Sequence, residues 1–192
     1  MVYLIIVAMI AVRLWTRYGP RNAQPVTNPI AAALLLWLTG VSLPWGDYRY
    51  ALVGVVVIAG GYLAAIRWGR RFFTKRYPRP LYTTFVAIPL STVAFEEAAF
   101  RGVLWPLIAA DHGPLWATAI TAVLFGLWHL SPDRAWTDAL AMTVAGAVLG
   151  GLRDVSGGLL APVAVHWAAD GLGVLASTYV LNQWGGTQSR VR

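Results

Sequence analysis

The sequence predicts an all-α, polytopic integral membrane helical bundle: one transmembrane domain over residues 1–192 with about seven transmembrane helices, six to eight by the spread of the weaker segments. Three observations carry this. Hydrophobic residues make up 58 % of the 192 residues and charged residues 12 %, about half the ~25 % charge of a soluble domain. Mean hydropathy is +0.60. The apolar residues fall in runs approaching the roughly 20 needed to cross a bilayer, and the basic residues cluster between those runs. A soluble globular domain and a disordered chain are both excluded. With no cysteine, so are disulfides, thiolate nucleophiles and cysteine-ligated metals.

The runs follow in order. Met1–Trp15 is apolar but short, and Arg13, Arg17 and Arg21 follow it. A signal peptide has the opposite polarity, so the segment reads as a first span with its N-terminus outside. Val26–Leu43, uncharged, is the second span and Tyr50–Ile66 the third. Residues 67–80 carry six basic side chains, Lys75 among them, and read as a cytoplasmic linker. Leu81–Ala110 is the fourth span, interrupted by Glu96, Glu97 and Arg101. Asp111-His112-Gly113-Pro114 is a turn. Leu115–Leu130 is the fifth span, ended by Ser131-Pro132-Asp133. Trp136–Leu152 is the sixth, with Gly146 and Gly150 four apart, a spacing that lets helices approach closely. Leu159–Asn182 is the seventh. Trp15, Trp45, Trp68, Trp136 and Trp184 fall near span ends, where indole rings anchor at the interface.

Net charge +7 would suit nucleic-acid binding, but its placement does not. With the N-terminus outside and the C-terminus inside, twelve of the fifteen basic residues, Arg134, Arg190 and Arg192 included, fall on the inner side. Arg49, Arg101 and Arg153 are left over. The preference for Arg over the single Lys points to a GC-rich, bacterial genome, and so to the bacterial inner membrane.

The chemistry lies in ionisable residues inside the spans. Each costs roughly 2.5–3.5 kcal/mol at a helix centre on insertion scales and persists only when paired, facing a cavity, or used. Glu97 and Arg101 are four apart, acid first, which is the favourable order for an ion pair on one face. Glu96 lies about 100° away. Glu97 therefore neutralises Arg101 and leaves Glu96 free. Phe125 and His129, and His166 and Asp170, repeat the spacing of four. A lone polar residue in a span is ordinarily a helix–helix hydrogen bond; six on three late spans are not so explained. Trp128 and Trp167 read as packing residues, with lining a groove as the alternative. Asp111, His112 and Asp138 sit at turns or helix starts and carry no role.

Two kinds of site fit this set. In a hydrolytic site Glu96 takes a proton from water while the imidazoles position the water or the carbonyl. In a metal site two His and a carboxylate hold zinc, with His129, His166, Asp170 and Glu96 as candidates.

At these residues the chain resembles a known family. Glu96-Glu97-Ala98-Ala99-Phe100-Arg101-Gly102 is similar to its EExxxR motif, in the form EExxFRG. Phe125–His129 is similar to FxxxH, and His166–Asp170 to HxxxN/D. In this order, over about Thr84–Tyr179, they resemble the CPBP intramembrane protease family, which includes CAAX prenyl endopeptidases and bacteriocin-processing or self-immunity proteins. The resemblance implies a motif-bearing core of about 81–183 with a water-accessible cavity. It makes Glu96 the water-activating glutamate, His129, His166 and Asp170 its catalytic partners, and Glu97, Arg101 and Phe125 supporting residues. Many members carry Asn where this chain has Asp170. An ionised Asp cannot donate to an oxyanion, so Asp170 is expected to be protonated, to orient His166, or to help hold a cation.

The expected activity is hydrolysis of a peptide bond in a membrane-associated peptide or protein. The alternative is a non-catalytic protein of the same fold, in bacteriocin immunity or as a scaffold. The expected partners are the lipid bilayer and a peptide or protein substrate, with no nucleic acid. No cofactor is favoured, because zinc would take Glu96 away from its role as base. One geometric difficulty stands. At ~1.5 Å per residue, a helix starting at Leu81 carries Glu96 ~22 Å from the inner edge, whereas His129 lies ~8–10 Å from it. A break near Pro89 or a later helix start would bring them together.

Overall fold

The computed structural model describes the backbone of residues 2–130 and 136–184, and the side chains of 5–130 and 136–183. The expected turn at Ser131-Pro132-Asp133, the charges of Arg134, Arg190 and Arg192, and the side chain of Trp184 lie outside these. Among the described residues there is no strand. Seven long helices match the seven predicted runs: α1 (Val2–Tyr18), α2 (Gln24–Thr39), α3 (Tyr48–Trp68), α4 (80–112), α5 (Pro114–Trp128), α6 (Trp136–Ser156) and α7 (Leu160–Trp184). The helices at Tyr48–Trp68, Trp136–Ser156 and Leu160–Gln183 are long and apolar enough to cross a membrane. These three, rather than all seven, meet that criterion in the described chain.

Apolar side chains face outward throughout. On α3 only Ala51 is buried, while Leu52, Val53, Val56, Val57 and Leu63 are each more than half exposed. A water-soluble surface does not carry so continuous an apolar face; lipid solvates it. Trp45, Trp68 and Trp136 are also exposed, as interface anchoring requires.

The small residues work as their spacing predicts. A Cβ at Gly146 would stand 3.0 Å from the Ala122 Cα, and one at Gly150 would stand 3.0 Å from Thr118 Cγ2. These glycines let α6 lie directly against the backbone of α5. At the α6–α7 junction, Gly46 (φ +76°) approaches the backbone of Gly158. There the loop after α2 supplies carbonyls to the start of α7: Leu159 N–H donates to Pro44 at 3.0 Å and Leu160 N–H to Trp45 at 3.1 Å. Amides that a helix start cannot satisfy by itself are met this way.

The α4 helix runs unbroken through Pro89. The expected break is replaced by widened, π-helical turns at Thr83–Ala87, Pro89–Val93 and Ala98–Leu104. Proline cannot donate the i→i−4 bond and its ring crowds the carbonyl of that turn. The wide turns flank Pro89 and end just before Pro106. Such turns recur at functional sites, and the last of them begins directly after Glu97 and carries Arg101.

Candidate active site

Three helices converge on the middle of α4. The core beside the site is built from Phe95, Ala99, Phe100, Val103 and Phe125, all at most 2 % exposed. Phe125 lies at its centre. Its ring stacks edge-on with Phe100 at 5.2 Å, tilts against His129 at 4.6 Å and meets His166 edge-on at 5.8 Å. The Arg101 guanidinium lies 4.5 Å from the same ring, within cation–π range.

The expected pair is present. Arg101, fully buried, donates from Nη1 to Glu97 Oε1 at 3.1 Å and from Nη2 to the Gly146 carbonyl at 2.9 Å. Glu97 does more than the i,i+4 spacing disclosed. The same Oε1 accepts from His166 Nδ1 at 2.7 Å. Glu97 thus ties α4 to α7 as well as to its own helix.

Glu96 is only 7 % exposed. Its Oε1 accepts from Trp128 Nε1 at 2.9 Å. Its Oε2 is buried with no hydrogen-bond partner. It faces His129 Nε2 at 3.8 Å and His166 Nε2 at 3.9 Å. Both imidazoles are anchored from behind. His129 Nδ1 lies 2.8 Å from the Phe125 carbonyl, which can only accept, so Nδ1 carries the proton and the Nε2 lone pair points into the site. His166 Nε2 also lies 3.6 Å from Asp170 Oδ2. The gaps around Glu96 Oε2 exceed hydrogen-bond length and suit a bridging water or substrate atom.

All four residues expected to act together, Glu96, His129, His166 and Asp170, therefore meet in one place, with Glu97, Arg101 and Phe125 behind them. The two residues that the simple helix count set apart, Glu96 and His129, do meet, and α5 is short. Its 15 residues span ~22 Å, short of a ~30 Å hydrocarbon core. His129, at its C-cap, stands with Nε2 3.8 Å from Glu96 Oε2. Trp128 belongs to the site through its bond to Glu96. Trp167 donates to the Thr84 carbonyl at 2.8 Å and is a packing residue. Arg153, left over in the charge pattern, is 8 % exposed. It donates from Nε to the Arg101 carbonyl at 3.2 Å and stacks over Trp105 at 5.1 Å, so it braces the wide turn. No sequence spacing links α6 to that carbonyl.

Two His nitrogens and a carboxylate oxygen are also donors that zinc accepts. Tetrahedral zinc with bonds of ~2.0–2.2 Å sets its ligand atoms roughly 3.3–3.5 Å apart, somewhat closer than the gaps seen. Among the described residues, no group of three or more His, Asp or Glu has the arrangement of a metal cage.

Comparison with known proteins gives a match over the segment that carries the site. Residues 78–172 match the family model described as type II CAAX prenyl endopeptidase Rce1-like. An Escherichia coli protein described as an uncharacterized 24.3 kDa protein is 31 % identical over 148 residues, covering 72 % of this chain and 65 % of that protein. The present chain thus spans just under two thirds of that relative's length. No solved structure matches. The matched segment, about half of the chain, holds Glu96, Glu97, Arg101, His129, His166 and Asp170, and the match supports the CPBP family of CAAX-type proteases.

Proposed function

We propose that this membrane protein is an intramembrane endopeptidase that hydrolyses a peptide bond of a membrane-associated peptide or protein, with Glu96 as the base that activates water and residues of about 81–183 as the catalytic core. One observation carries the reading: a buried carboxylate oxygen, Glu96 Oε2, faces two backed imidazole nitrogens at 3.8 and 3.9 Å without a protein donor of its own.

The steps follow from the atoms. A water between Glu96 Oε2 and His129 Nε2 donates one hydrogen to each. Glu96 takes its proton as the water oxygen bonds to the carbonyl carbon. His166, held through Nδ1 by Glu97 and flanked by Asp170, presents Nε2–H to the developing oxyanion. The C–N bond then breaks, and the proton on Glu96 passes to the leaving nitrogen. Asp170 serves by orienting His166, which removes the difficulty that an ionised Asp cannot itself donate. Metal-free hydrolysis is the favoured form because Glu96 then remains free to act as base. If zinc is bound, His129, His166 and Glu96 would hold it, and it would supply Lewis-acid polarisation of the carbonyl.

The test compares membrane proteomes of cells carrying the wild type and Glu96→Ala. New termini that depend on Glu96 support the peptidase. Identical termini in both favour the non-catalytic alternative.

A further inference from the structure

The site needs water inside a bilayer, and its residues differ sharply in exposure. The side chains of Glu96, Glu97, His129 and His166 are at most 14 % exposed, whereas that of Asp170 is 46 % exposed. Asp170 opens onto a cavity of about 460 Å³ between the end of α3, the basic linker and α7, with Tyr62, Lys75, Tyr77 and Ser177 in its wall. Two other cavities approach the site, of about 370 Å³ between α1 and α5 and about 420 Å³ between α2, α4 and α7. Their walls are apolar apart from Arg13 in the first and Glu97 in the second.

The linker is built into the polar cavity rather than draped over it. Ser177 Oγ donates to the Lys75 carbonyl at 2.6 Å, and Tyr62 OH donates to the Ala169 carbonyl at 2.6 Å. Lys75 Nζ lies 5.1 Å from the Tyr77 ring. Tyr77 and Asp170 line the same cavity, and burial, with the Asp170 carboxylate, pushes the Tyr77 hydroxyl above its ordinary value.

We propose that this cavity is the aqueous entrance of the site: water, and with it the hydrophilic flank of the substrate peptide, reaches Glu96 and His166 past Asp170 from the face that carries the basic linker. An apolar segment would come from the lipid side, so a peptide lying across the site meets lipid on one flank and water on the other.

The absence of native cysteine gives the test a clean background. Ala65→Cys and Ala169→Cys place thiols in the cavity wall, and Val56→Cys places one on the lipid face of α3. A charged methanethiosulfonate is applied to oriented vesicles. A thiol in apolar surroundings stays protonated and unreactive, so the two cavity positions should label at least about ten times faster than Val56→Cys, and from one side of the membrane only. Labelling no faster than at Val56→Cys overturns the proposal, whether or not the chain hydrolyses peptides, because this readout needs no turnover. The link to catalysis rests on the peptidase reading. Blocking Ala169→Cys should lower Glu96-dependent hydrolysis at least tenfold and blocking Val56→Cys should not. Unchanged hydrolysis after complete labelling of Ala169→Cys also overturns it.

Discussion

At the scale of single residues, two adjacent glutamates have been given different work by their neighbours. Glu97 Oε1 is held by two charged or polar donors, Arg101 on one side and His166 on the other, while its Oε2 is buried without a partner. Glu96 has one indole donor and an open oxygen. Glu97→Gln should therefore lower stability by about 3–5 kcal/mol, the cost of breaking a buried pair, read as a fall in Tm. Replacing both partners by Met should recover most of that loss, since an apolar pair of similar volume avoids the desolvation of two charges. It should not recover hydrolysis, because His166 stays without its acceptor. If the double variant is fully active, Glu97 serves stability alone. The pairing of Glu97 with Arg101 was legible in the sequence because both lie on one helix. The contact with His166 was not, because 69 residues separate them and no local rule fixes how α7 rotates against α4. Trp128 was read mainly as packing for the same reason: an indole beside a motif histidine looks alike whether it fills the core or donates to a carboxylate.

At the scale of elements, each long helix was legible from apolar run length, and α5 and α6 from the glycines that let them touch. The wide turns of α4 were not. Hydropathy shows where an apolar helix runs, but not whether its backbone bonds skip four residues or five. Pro89 signalled a disturbance, read as a break, and the helix absorbed it by widening. Two predictions belong here. Gly146→Leu should force α6 off the Ala122 backbone and cost about 1–3 kcal/mol, as overpacking does, whereas Gly151→Leu, with open space beside its Cα, should leave Tm nearly unchanged. Arg153→Met should cost about 1.5–3 kcal/mol through loss of a charged donor to the Arg101 carbonyl. If Arg153 also positions Arg101 for Glu97, the variant lowers kcat with little change in KM, and Arg153→Lys restores part of it. Equal Tm for Arg153→Met and wild type would show that the wide turn stands without this brace.

At the scale of the whole molecule, the bundle resolves a conflict of solvent. Its outer surface is apolar enough for lipid, while its reacting groups need water and fixed charge. Side chains from α5, α4 and α7 bring His129, Glu96, His166 and Asp170 to one place. A metal-free site predicts that a chelator leaves the hydrolysis rate unchanged and that purified protein carries no stoichiometric zinc. Loss of activity on chelation with recovery on adding zinc would instead make Glu96 a ligand. The measurement that bears most directly on the central claim is the initial rate of peptide hydrolysis by reconstituted wild type and Glu96→Gln, with Tm recorded for both. Loss of a general base predicts a fall of at least about 10²-fold at nearly unchanged Tm. A Glu96→Gln variant that keeps the wild-type rate, beside a Glu97→Gln variant that is inactive yet fully stable, would contradict it and reverse the two roles.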